Sequence, residues 1–152
     1  MVKKLSNGFN DCLKKGLLRK IPISVSKAEG SIKTAEKWLE ESKINLSAGG
    51  FNSSVITSYL AMFHSARAIL FFDGYREKSH YCIARYLDNY VIKGLLEKEW
   101  VDLLDYIRDL RQADQYRIGS FITKDESEDA LNKSVDFVNR LKRLFEELIK
   151  SK

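Results

Sequence analysis

Proline is almost missing from this chain: Pro22 stands alone among 152 residues, with eight glycines beside it. So little turn-forming material leaves room for few, long elements, which favours helices. No run approaches the ~18 apolar residues that span a membrane, and the amino end lacks the apolar stretch of a secretion signal. A cytoplasmic protein without membrane contact is expected. The two cysteines, Cys12 and Cys82, are too few for a disulfide framework and have no metal-ligand spacing. They are expected as reduced, packed thiols. Histidine is equally scarce. His64 and His80 find no third ligand at a sensible spacing, so neither a metal nor a cofactor is expected. Strand alternation, internal repeats and low-complexity tracts are absent too.

What is present is charge, unevenly placed. The net charge is +5, and residues 1–22 account for all of it: Lys3, Lys4, Lys14, Lys15, Arg19 and Lys20 stand against Asp11. The rest of the chain is balanced. The basic pI is therefore a property of the amino end, which suits phosphates, an acidic partner or simple solvation. One domain of this size can bury roughly two-thirds of its unfolded surface.

Apolar periodicity predicts the helices. Leu5, Phe9, Leu13 and Leu17 recur every four residues ahead of Pro22, giving a short amphipathic helix. Ser26 with Glu29 is a capping-box pattern for a second helix carrying Ala28, Ile32, Ala35, Leu39 and Leu46 inward, with Gly49 and Gly50 ending it. A third helix over about 53–72 is apolar or small nearly all round, the mark of a buried helix. Its small-residue stripe of Ser54, Ser58, Ala61, Ser65 and Ala68 permits close approach of another helix, and a subunit interface is one use for it. Ser79 can cap a fourth helix that ends at Gly94, and a fifth runs over about 97–116. Thr123 with Glu126 opens the last. The expected fold is all-α: an antiparallel up-and-down bundle of four to five helices plus a short N-terminal helix, divided into a basic helical extension (1–22) and a bundle domain (23–152).

The stretch DYIRDLRQADQYRIGSF, residues 105–121, breaks the pattern. On a helical wheel Trp100, Leu103, Leu104, Ile107 and Leu110 share one face, and Arg111, Asp114 and Ile118 continue it. Arg108 sits at its edge, while Asp105, Tyr106 and Asp109 point elsewhere. Charges at apolar-face positions are costly unless matched or open to water. Either Arg111 and Asp114 form a structural ion pair with neighbours, or the bundle opens there into a polar cleft for an anion. The arginine fork suits phosphate, and Tyr116 adds a stacking face or hydroxyl. His80, on a face with Ile83 and Leu87, reads as a buried, satisfied histidine or as part of that cleft.

With those residues placed, the chain resembles the HEPN domain family, small all-α domains often encoded beside minimal nucleotidyltransferases. SYLAMFHSARAILFFDGYREKSHYC (58–82) is similar to the family's tyrosine-rich central helix, phenylalanine–histidine pair, glycine turn and the histidine opening the next helix. RDLRQADQY (108–116) is similar to its arginine-bearing segment, and DALNKSVDFVNRL (129–141) to its closing helix. The resemblance covers roughly residues 25–150. It implies a homodimer, a minimal nucleotidyltransferase partner, and RNA or nucleotide as ligand. Many family members resemble metal-independent ribonucleases with an arginine followed four to six residues later by a histidine. Here Arg111 maps to the arginine, no histidine follows, and Tyr116 stands at the spacing, near the place where some partners attach AMP. Tyrosine, with a pKa near ~10, is a poor general base at neutral pH. Arg111 and Tyr116 are thus the catalytic candidates of a degenerate motif, and Arg108, Asp114, Arg117 and His80 the nucleotide- or RNA-binding ones. A binding module partnering a nucleotidyltransferase in a toxin–antitoxin type system is expected, with a dimeric ribonuclease toxin or a purely structural dimer as alternatives.

Overall fold

The computed structural model describes residues 7–116, 118, 119 and 121–152. Lys3, Lys4, Leu5 and Arg117 lie outside them. Six helices, α1 (Asn7–Lys14), α2 (Val25–Ser47), α3 (Phe51–Asp73), α4 (His80–Ile92), α5 (Lys98–Tyr116) and α6 (Lys124–Lys150), form an all-α bundle. Two three-residue strands, β1 (Leu18–Lys20) and β2 (Tyr75–Glu77), pair antiparallel. That ribbon was not expected; three residues are too short to leave an alternating pattern.

The centre is α3, which packs on α2, α4, α5 and α6. Tyr59, Met62, Ile69 and Leu70 on it are fully buried. The small-residue stripe is used within the chain. The Ser42 hydroxyl on α2 reaches the hydroxyls of Ser54 (2.9 Å) and Ser58 (2.7 Å), and Ser134 on α6 donates to the Ser58 carbonyl at 2.6 Å. Close backbone approach and satisfied buried hydroxyls go together here. The stripe leaves no surface over for a subunit interface. By length and hydropathy α3 passes as a membrane span, contrary to the sequence reading, but 72% of that window is buried inside the bundle.

The second helix starts earlier than expected. Its cap is Ser24, whose hydroxyl accepts from the Lys27 N–H at 3.0 Å, and not Ser26. Thr123 and Glu126 do form the reciprocal capping box of α6. Gly74, at φ +86°, turns α3 into β2 where a Cβ would stand 2.8 Å from the Ile21 carbonyl oxygen, so only glycine fits.

The amino segment joins the core. Phe9, Cys12 and Leu18 are buried in it, α1 lies along α4, and Cys12 is disulfide-bonded to Cys82. This corrects the expectation of free thiols. Helix packing brings the two Cα atoms to 6.0 Å, within bridging range, from positions 70 residues apart that carry no spacing signal.

Candidate functional site

Three helices meet at one end of the bundle. Tyr59 on α3 is 1% exposed, and its hydroxyl lies 2.9 Å from Nδ1 of His80, the first residue of α4. The His80 ring also packs on Phe63 at 4.2 Å between centroids. From α5, Arg111 lays its guanidinium over the Tyr59 ring, 4.8 Å from the centre. A cleft of about 540 Å³ opens in front of them, lined by Ser79, His80, Tyr81, Arg108, Asp109, Arg111 and Gln112.

The electrostatics are cationic. Arg111 is half-buried and hydrogen-bonds Gln115 at 2.6 Å, but among the described residues no carboxylate pairs with it, and its Nε is buried without a hydrogen-bond partner. Burial pushes the Tyr59 phenol up to about 12, with Arg111 and Arg108 pulling it partly back. Burial first, then Arg111, Arg108 and Arg67, lowers the His80 pKa below its ordinary value. Neutral His80 beside an unmatched arginine is a site that favours added negative charge.

Arg108 is held differently. It pairs with Asp105 at 2.6 Å, and Asp105 reaches across to Arg85 on α4 at 2.7 Å. Asp105 thus does not point away, as the wheel implied; it faces α4. The Tyr81 ring lies 4.9 Å from the Arg85 and 5.5 Å from the Arg108 guanidinium carbon, a contact the sequence did not suggest.

Arg111 and Asp114 do not pair with each other. Asp114 takes a hydrogen bond from the Asn52 amide, and burial raises its pKa, with Asn52 opposing. Tyr116 ends α5 at 76% exposed, outside the cleft lining. Ile118 is 98% exposed and does not continue the apolar face. The fold therefore gathers Arg111, Arg108 and His80 and leaves Asp114 and Tyr116 aside. Tyr59 lies on the helix expected to be buried nearly all round, and its four-residue step to Phe63 gives a packing signal only. Among the described residues no group of three or more His, Cys, Asp or Glu could hold a metal ion.

Comparison with known proteins agrees with this architecture. The chain is 26% identical over 119 residues to a protein of Methanocaldococcus jannaschii named "Putative toxin MJ0605", covering 78% of this chain and 88% of that one. Its fold matches the crystal structure of ST0689, an archaeal HEPN homologue, with a TM-score of 0.65 at 20% identity, over 79% of this chain and 98% of that one. The HEPN domain family model matches residues 28–144, so the chain belongs to the HEPN domain family.

Proposed function

We propose that this HEPN-domain protein binds RNA or a nucleotide by its phosphate in the Arg111 cleft, as the partner of a minimal nucleotidyltransferase in a toxin–antitoxin type pair. The carrying observation is Arg111 itself: a half-buried guanidinium, unmatched by any carboxylate among the described residues, at a cleft shared with Arg108 and His80. A charge-assisted contact there is worth about 1.5–3 kcal/mol. Arg111→Ala is expected to weaken binding of AMP and of a short 2′-O-methyl oligoribonucleotide about tenfold or more, while thermal melting stays close to wild type because no buried counter-charge is orphaned. Unchanged affinity with a large loss of stability refutes the reading. Tyr116, three-quarters exposed, is open to a partner that transfers AMP. Tyr116, Ile118 and Phe121, exposed at and just beyond the end of α5, supply the apolar surface for a homodimer, which sedimentation at micromolar concentration tests.

A second reading, metal-independent ribonuclease, draws support from His80. The segment after Arg111 lacks a histidine, yet His80 stands in the same cleft, supplied by α4. Either tautomer closes the bond to Tyr59. If the phenol donates to Nδ1, Nε2 carries the proton and suits a phosphate oxygen. If Nδ1 donates, Nε2 is bare and can take the proton of a ribose 2′-hydroxyl. Release of a 2′,3′-cyclic phosphate, abolished by His80→Gln with Arg111-dependent binding retained, would select this reading.

A further inference from the structure

Among the described residues none of the basic amino segment lines the cleft, and the structure brings part of that segment to a second place. In the β1–β2 ribbon Arg19 is the direct cross-strand partner of Arg76, both exposed. Like charges facing each other across a ladder are destabilising, and among the described residues no carboxylate pairs with either. Arg76 also lines a hollow of about 310 Å³ with Lys27, Ser31, Thr34, His64, Arg67 and Phe71. No acid is in that lining. Glu77, buried beneath, pairs with Arg67 at 2.6 Å and also feels the charge of Arg76, but among the described residues no carboxylate makes an ion-pair contact with Arg19, Lys27 or Arg76.

This hollow adjoins the first cleft. His64 and His80, one from each lining, pack on the same Phe63 ring at 5.1 and 4.2 Å between centroids. Along α3 the residues Tyr59, Phe63, Arg67 and Phe71 form one four-residue ridge. Arg111 lies on Tyr59, and Arg67 sits 5.6 Å from the Phe63 and 5.1 Å from the Phe71 ring centre. From Tyr59 to Arg67 the helix rises about 12 Å, too far for one phosphate group to touch both ends. Tyr59 and Phe63 are buried beneath these cations, so the ridge offers spaced guanidinium groups, which suit successive phosphates of a strand and not a single mononucleotide.

We infer that Arg19, Lys27 and Arg76 form a second phosphate-binding patch, over which an RNA strand held at Arg111 continues past Phe63 onto the β1–β2 ribbon. The patch rests on the phosphate reading of the Arg111 cleft, and the test separates the two.

The test measures binding of fluorescent, uncleavable 2′-O-methyl oligoribonucleotides, a dinucleotide and a 12-mer, across a salt series. Arg19→Gln/Arg76→Gln is expected to make the log–log salt slope for the 12-mer shallower by about 1.4, about 0.7 for each of two lost phosphate contacts on a single strand. Dinucleotide binding should be unchanged. The double variant removes a repulsion, so its melting temperature should equal or exceed that of the wild type. Lys27→Gln alone should flatten the 12-mer slope by about half as much. Arg111→Ala should weaken both ligands. A 12-mer slope unchanged in the double variant overturns the patch, whatever Arg111→Ala does, and so does loss of binding to an acidic protein partner alone. Dinucleotide binding indifferent to Arg111→Ala overturns the cleft reading instead.

Discussion

His64 lies half-buried with its ring edge on Phe63, and its main-chain carbonyl accepts the Ser31 hydroxyl at 2.7 Å. Burial, then the charges of Arg67 and His80, hold its pKa down to about 4. Below its ordinary value of about 6.5 the unfolded chain takes a proton that the folded chain refuses. Its contribution to stability is therefore full above that value and is lost as pH falls toward 4. Burial raises the pKa of Glu77, Asp88 and Asp114, and these carboxyls act in the opposite direction, so the histidine must be isolated by difference. Between pH 7 and pH 5 the wild type should lose about 1 kcal/mol more than His64→Gln, after discounting for partial exposure. Urea midpoints at the two pH values measure it, and equal losses would mean that His64 protonates freely in the fold.

Between elements, the contact of α4 with α5 depends on Asp105, whose carboxylate serves Arg85 and Arg108 together. Those arginine side chains are only 17% and 12% exposed. Asp105→Asn leaves two crowded cations and should cost about 3 kcal/mol, the lower end for breaking a buried pair because Asp88 still holds Arg85 at 2.9 Å. Chemical denaturation should show the loss with helical circular dichroism intact; a change under about 0.5 kcal/mol would mean the network is solvated. How much of this was legible follows from what periodicity encodes. The spans of α3, α4, α5 and α6 were readable to within a few residues, because each has an apolar stripe or a capping pair. A wheel knows one core only. It turned Asp105 off the apolar face because it cannot show that α4 crosses on the other side. His80 shared an apolar face with Ile83 and Leu87, so nothing in its own helix announced that α3 and α5 would bring Tyr59 and Arg111 to it. Arg111 was legible because an arginine at an apolar-face position asks for an explanation.

At the scale of the molecule, the family match begins at residue 28, yet residues 7–20 are part of the packed body through Phe9, Leu18 and the Cys12–Cys82 bond. That bond closes a loop of 70 residues, and chain entropy puts its contribution at about 4 kcal/mol. Reductant should lower the denaturation midpoint of the wild type accordingly. Cys12→Ser/Cys82→Ser should start at that lower midpoint and ignore reductant. A wild type insensitive to reductant would show that the thiols are not bonded in solution.

The ribbon adds a consequence in time. With the Cys12–Cys82 bond reduced, β1 can meet β2 only after residues 21–74 between them have folded back as α2 against α3, so in that form its hydrogen bonds close late and belong to the native side of the folding barrier. Weakening it should quicken unfolding and leave the folding rate alone. The arginine-bearing edge can thus open while the helices behind it stay closed. The cysteine cross-link beside it sets how often it opens.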